Sequence, residues 1–346
     1  MRMSQAGPLR ILFWTAGLVV AMLLVWKLKG VILMVLGVVI AATILRSLSG
    51  IIQRYVRLSS GWALTLTVLL IVALFAVFAA VLGTQVWLQA AVLVHTLPRL
   101  LDNLASNLGI PHLSQILAHG WTVLGQGDGL KNVAGYTTHA INAVINIFLL
   151  FISSIYMAME PELYWHGALQ LWPQPIRNRL AVAGAEAITA LRLWLLGQLV
   201  SMLSVGILTT LGLILIGMPL PLVLGLVMGL AEFVPVIGPL VSAIPAILIA
   251  VPHGGGMVLS VIALYVMVQQ LEGHLITPLV QKKAVNLPPV VTLFAMLVAE
   301  VLFGPAGILL ATPMAVLAFV AVKQLYVRDI LSEPTPIPGE KKARRR

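Results

Sequence analysis

Residues 221–251 read PLVLGLVMGLAEFVPVIGPLVSAIPAILIAV, and the fold turns on how this stretch is understood. The apolar run 222–251 is long enough to cross a bilayer, but Pro235, Gly238, Pro239 and Pro245 interrupt it. Proline inside a helix removes a backbone hydrogen bond and clashes with the preceding turn. The arm before the break is about 14 residues, roughly 20 Å at helical rise, and about 20 residues are needed to span. Two half-length helices joined by a Gly/Pro turn suggest a re-entrant hairpin. Such backbone survives at membrane depth only when it packs in protein or lines a wet cavity.

A second stretch repeats the pattern. Residues 289–322 read PVVTLFAMLVAEVLFGPAGILLATPMAVLAFVAV, with the apolar run 290–322 interrupted by Gly304, Pro305, Gly307 and Pro313. Pro221, Glu232 and Pro245 recur as Pro289, Glu300 and Pro313 at a constant offset of 68. Ala231 and Ala299 precede the two glutamates, and Gly238-Pro239 and Gly304-Pro305 follow them. One apolar run, 256–271, lies between the two stretches. An odd number of crossings would invert the second relative to the first, the inverted-repeat arrangement that builds central sites in transporters.

The rest of the chain places these segments in a bilayer. Of 346 residues, 60% are apolar and only 9% are charged. That is too few charges to cover a water-facing surface, since a soluble domain carries about 25%. Further apolar runs occupy 11–26, 31–45, 62–82, 140–159 and 194–216. The expected fold is therefore all-α, a polytopic transmembrane helical protein with two re-entrant broken-helix hairpins. Arg2 and Arg10 before the first run resemble a signal peptide, but Lys27 and Lys29 follow it with no small-residue cleavage site, so a retained span is expected.

The net charge of +10 does not point to nucleic acid, because the basic residues sit in short loops and at the C-terminus. Lys and Arg in short loops mark the cytoplasmic side. Arg46, Arg54, Arg57, Arg177, Arg179, Arg192, Lys282, Lys283, Lys323 and Arg328 all fall inside if the N-terminus is inside. Lys27 and Lys29 are the exception and are expected in a very short outer turn. A bacterial cytoplasmic membrane with both termini cytoplasmic is the expected setting.

Five regions follow: a three-span part at 1–83, an amphipathic extracytoplasmic segment at 84–138, span four with a cytoplasmic connector at 139–193, a transport core at 194–325, and a basic tail at 326–346. Within the second, residues 88–108 space apolar residues helically around Gln89, His95, Arg99, Asp102 and Asn103, and Gly125 to Gly129 is a loop tip. In the connector, Pro161, Pro173 and Pro175 are expected to break the helix. The tail passes through Pro334, Pro336 and Pro338 to Lys341, Lys342, Arg344, Arg345 and Arg346, a segment attracted to anionic lipid.

Few side chains carry chemistry. Glu232 and Glu300 lie in the apolar runs, where an ionised carboxylate costs several kcal/mol, so each must face a cavity or take a proton. Gln269, Gln270, Glu272 and His274 close the run 256–271, and Gln269 and Glu272 share a helix face at i, i+3. Gln198 and Ser201 are mildly polar positions in the run 194–216. Membrane hydroxyls otherwise bond the backbone or pack helices. The absence of cysteine excludes disulfides and thiolate metal sites. The string Gly125-Gln126-Gly127-Asp128 matches that of intramembrane aspartyl proteases, but that chemistry needs two aspartates within spans. Asp102, Asp128 and Asp329 all lie in polar regions. No zinc helix, nucleophile elbow or phosphate loop is present in the sequence, so neither an enzyme nor a cofactor is expected.

Gly217-Met218-Pro219-Leu220-Pro221, Glu232-Phe233-Val234-Pro235-Val236-Ile237-Gly238-Pro239, Gln270-Leu271-Glu272-Gly273-His274-Leu275-Ile276-Thr277-Pro278 and Phe303-Gly304-Pro305-Ala306-Gly307 resemble the motifs of the autoinducer-2 exporter family, also called the PerM-like permeases. Two departures stand out. Leu230-Ala231 precedes Glu232 where family members often have an aromatic or Asn, and Gln281-Lys282-Lys283 replaces a Gly-Lys pair. The resemblance implies an exporter-type permease, with autoinducer-2 or sodium/proton exchange associated with different members, and a homo-oligomer, a pentamer.

The leading expectation is a secondary transporter of a small polar solute, with Glu232, Glu300, Gln269, Glu272 and Gln198 as binding residues. Pro235, Gly238, Pro239, Gly304, Pro305 and Gly307 form the hairpin breaks. A monovalent cation/proton antiporter using the same glutamates and a non-transporting membrane scaffold are the alternatives.

Overall fold

The computed structural model describes residues 8–77, 80, 129–281 and 287–335. Every described element is helical: α1 Pro8–Lys27, α2 Lys29–Val56, α3 Ser60–Val77, α4 Gly129–Met159, α5 Pro161–Gln170, α6 Gln174–Leu215, α7 Pro221–Ala231, α8 Ile237–Ala250, α9 Gly255–Leu271, α10 Thr277–Gln281, α11 Pro289–Phe303 and α12 Pro305–Val322. Five described helical stretches are long and apolar enough to cross a membrane, six if the α4–α5 pair is one bent span. The chain is a multi-pass helical membrane protein. Most of residues 84–138, Lys282, Lys283 and the basic tail 341–346 lie outside the described residues.

In both broken segments two helices pack on each other across the break, but only the first has two short arms, because α12 continues to Arg328 as one of the five spanning stretches. α7 has 11 residues and α11 has 15, about 16 and 22 Å at helical rise, so neither spans unaided. Pro221, Pro289 and Pro305 each open a helix at its first turn, where the missing N–H costs nothing. Pro245 and Pro313, expected to interrupt, instead lie inside α8 and α12. Neighbouring packing tolerates an internal proline in a membrane helix.

Two further expectations are corrected. No tight turn separates the first two apolar runs: Leu28 N–H donates to the Leu24 carbonyl at 2.9 Å, and Ile32 N–H to that of Leu28 at 3.0 Å. The helical ladder thus carries through Lys27 and Lys29, whose side chains favour helix, and Lys29 Nζ sits 4.5 Å from the Trp26 ring centroid. The connector after α4 is broken where its prolines stand, with a 92° bend ahead of Pro161 and a turn ahead of Pro173, but it does not end at 193. Pro161, Pro173 and Pro175 stand at helix starts, and α6 then runs unbroken for 42 residues into the expected fifth span.

α6 is the mast of the molecule. Its first half packs Ala190, Leu191, Trp194 and Leu195 against Ile40 of α2 and Val316 and Val320 of α12. Its second half packs Val205 and Leu213 into a core with Leu224 and Met228 of α7, Ala246 and Ala250 of α8, and Val261, Leu264, Tyr265 and Val268 of α9. The α6–α7 contact is a backbone approach through small residues: a Cβ on Gly229 would lie 2.7 Å from the Met202 carbonyl oxygen. Small residues allow such approach where lipid gives helices little hydrophobic reason to associate.

Candidate functional site

The break between α7 and α8 is where chemistry gathers. Across its five residues, Glu232 to Val236, Phe233 N–H donates to Leu230 O and Val234 N–H to Ala231 O, and just beyond them Gly238 N–H donates to Val234 O at 2.9 Å. Ile237 N–H donates to Pro235 O at 2.8 Å across Val236, whose φ is 70° and ψ −55°. That is a γ-turn of the rare, strained hand, on a β-branched residue that disfavours positive φ. Gly238 then lays α8 directly on α7, since a Cβ there would overlap the Ala231 carbonyl. Ser242 Oγ ties the arms, its one proton within reach of Met228 Sδ at 2.8 Å and Pro239 O at 2.9 Å.

Three consecutive residues of the break meet three parts of the molecule. Glu232 is only 2% exposed, and Gln198 Nε2 of α6 donates to its backbone carbonyl at 2.6 Å. Phe233 meets Trp194 of α6 edge-on, with ring centroids 6.2 Å apart. Val234 packs against Met296, Ala299 and Ala311 of the α11–α12 hairpin. The first hairpin's break is therefore wedged between the mast and the second hairpin.

Glu272 approaches from the end of α9. Residues Glu272–Ile276 form a π-turn, a local widening that recurs at functional positions. Glu272 accepts hydrogen bonds from Thr277 Oγ1 and, at 3.5 Å, from Gln269 Nε2. The i, i+3 pairing of Gln269 and Glu272 is thus realised. Glu272 also lies within electrostatic reach of Glu232. Glu232 Oε2 and Gln269 Oε1 are buried with no hydrogen-bond partner among the described residues. Gln198 thus bonds Glu232 and Gln269 bonds Glu272, on elements that all pack on α6 or belong to it.

Glu300 stands apart. It is exposed on α11, close to outward-facing Leu297 and Val301. Its backbone carbonyl accepts the Gly304 N–H at 2.7 Å, and Gly304 adopts φ 70° to start α12. Pro305 then opens α12, and a Cβ on Gly307 would overlap the Ala299 carbonyl. Both breaks use one device: a glycine in the second arm pressed on the alanine that precedes the glutamate. The surroundings differ because α7 is enclosed by α6, whereas α11 leaves most of its circumference outward.

Two polar residues near the site went unnoticed in the sequence, Thr209 of α6 and Tyr265 of α9. Both are buried with unpartnered hydroxyls. The signal was available: Tyr265, Gln269 and Glu272 share a face at i, i+4, i+7. Among the described residues, no three His, Asp or Glu side chains gather as a metal site.

The AI-2E family transporter profile matches residues 12–327. Among curated relatives, the chain is 32% identical to putative transport protein YrrI of Bacillus subtilis over 208 residues, 60% of this chain and 57% of that protein. It is 24% identical to AI-2 transport protein TqsA of Escherichia coli over 225 residues, 65% of this chain and 64% of the relative. Putative permease PerM of Escherichia coli is 25% identical over 281 residues, covering 75% and 77%. The match to YrrI therefore spans little more than half of that protein's length.

Proposed function

Because this chain belongs to the AI-2E family of transporters, we propose that it is a secondary transporter exporting a small polar solute such as autoinducer-2 across the bacterial cytoplasmic membrane. One observation carries this reading: a carboxylate side chain, Glu232, buried in a broken membrane helix between the mast and the second hairpin. A buried carboxylate needs a proton, a cation or a hydrogen-bonding partner to offset its desolvation. Broken helices supply such sites with free backbone ends that hydrogen-bond a solute. Glu232, Gln198, Gln269 and Glu272 are the proposed solute contacts, and the two hairpins, as re-entrant elements of an inverted repeat, are the proposed moving frame.

A second reading, monovalent cation/proton exchange, draws on the Glu232–Glu272 pair, because two carboxylates near each other in apolar surroundings favour a shared cation or proton. The exposed Glu300 bears on assembly. A carboxylate on an outward apolar helix face is costly against lipid, which supports a homo-oligomer with this face turned to a neighbour or a wet path.

Purified protein in liposomes tests the readings together. Labelled autoinducer-2 flux that Glu232→Gln abolishes supports the exporter. Proton movement that requires a sodium or potassium gradient and is lost in the same variant supports the exchanger. A wild type that moves none of these overturns both.

A further inference from the structure

The described hydroxyls of the spanning helices mostly bond their own backbone. Thr43 Oγ1 donates to Val39 O, Ser47 Oγ to Thr43 O, Thr67 Oγ1 to Ala63 O and Thr210 Oγ1 to Gly206 O, all at 2.6–2.8 Å. Thr209, fully buried beside Thr210, breaks this habit: its Oγ1 has no partner among the described residues. The Tyr265 hydroxyl, Gln269 Oε1 and Glu232 Oε2 are in the same condition.

These atoms belong to one interior. Thr209 falls between Val205 and Leu213 on the α6 face that enters the α6–α9 core, and Tyr265 is a member of that core. Gln198, Ser201 and Thr209 follow one another on that face of α6, all buried. Tyr265, Gln269 and Glu272 follow one another on α9. The two helices pack side by side: Gly212 abuts the Leu264 side chain, and residues 272–276 that follow α9 also meet α6. From Gln198 to Thr209 the rise is about 16 Å, half of a hydrocarbon core about 30 Å thick.

Each unpartnered buried polar atom is costly, because its bonds to water are lost on burial and not replaced. Water bonded to two to four polar groups is the usual remedy in protein interiors. We propose that the α6–α9 core holds a file of bound water that runs from Glu232 and Gln269 to Tyr265 and Thr209. The proposal deepens the reading of Glu232 as the centre of the site, giving its carboxyl a polar route into the membrane interior. Glu272 and Gln198 are the other polar groups at its Glu232 end, and Ser242 of α8 is engaged with Met228 and Pro239.

Hydroxyl-radical footprinting of the full chain in lipid nanodiscs, read by peptide mass spectrometry, tests this without a transport assay. Radicals formed from bound water label adjacent tyrosines even when these are buried. Tyr265, 6% exposed, is expected to label within about threefold of Tyr55, 82% exposed in the connection between the second and third apolar runs. Slower labelling of Tyr265 than that would show a dry core and overturn the proposal. A second measurement uses Tyr265→Phe and Thr209→Val. Loss of a water ligand is expected to lower the melting temperature, whereas removing an unpaired hydroxyl from a dry core would raise it and count against the file. A chain that transports nothing yet labels Tyr265 rapidly would refute the transport reading and support the water file.

Discussion

Glu232 and Val236 frame the functional argument at the scale of single residues. Glu232→Gln keeps the side chain's size and its backbone bond from Gln198, but removes the capacity to bear charge. Its expected effect is a loss of transport of at least about tenfold with the melting temperature little changed, measured by liposome flux and thermal denaturation. Val236 holds a positive φ that a branched side chain disfavours by about 1–3 kcal/mol. Val236→Gly is therefore expected to leave the melting temperature unchanged or raise it. Gly238→Ala, two residues on, should lower it sharply, because the new methyl would meet the Ala231 carbonyl; overpacking of this kind costs about 1–3 kcal/mol or more. Equal melting temperatures for the two variants would contradict the geometry of the break. Strain on Val236 beside a buried carboxylate is the pattern of a site whose shape is held by its surroundings.

Among the elements, α6 and the α7–α8 hairpin act as one unit. Gly206, Gly225 and Gly229 let the two backbones touch, and the contact holds Glu232 at the height of Gln198. Gly229→Leu is expected to separate α6 from α7, so that the detergent-solubilised protein loses its monodisperse peak in size-exclusion chromatography. A wild-type elution profile would mean that this contact does not hold the hairpin. The chain breaks at Pro235 and Gly304, and bends again ahead of Pro161, but Pro245 and Pro313, expected to interrupt, lie inside helices. A proline accommodated inside a packed membrane helix and one that ends a helix look alike in composition. Lys27 and Lys29 misled in the same way, since charge in an apolar sequence suggests a turn while helix propensity favours continuation.

On the scale of the whole molecule, the apolar exterior and the exposed α11 face are the informative features. Val290, Phe294, Leu297, Val298 and Val301 are each more than half exposed around Glu300. The chain has no cysteine, so Glu300→Cys introduces a single thiol. If a second copy covers this face, oxidation in native membranes is expected to yield a disulfide-linked dimer on non-reducing gels. Exclusive labelling by membrane-permeant maleimide with no dimer would place the face against lipid or an open path.

The amino-acid sequence by itself determined that the chain lives in a bilayer, that it is helical, and that two apolar segments are broken near glutamates. Apolar run length, charge scarcity and the backbone limits of proline and glycine are local properties, readable residue by residue. It also pointed to the family, through motifs spread over 217–313. Only the tertiary structure decided that the two glutamates are unlike. They share spacing, a preceding alanine and a glycine-packed turn, yet Glu232 is enclosed and Glu300 is not. Burial depends on which neighbours arrive from distant parts of the chain, here α6 and the second hairpin around the first break. The same reason hid Thr209 and Tyr265, whose hydroxyls differ from ordinary helix hydroxyls only in what surrounds them.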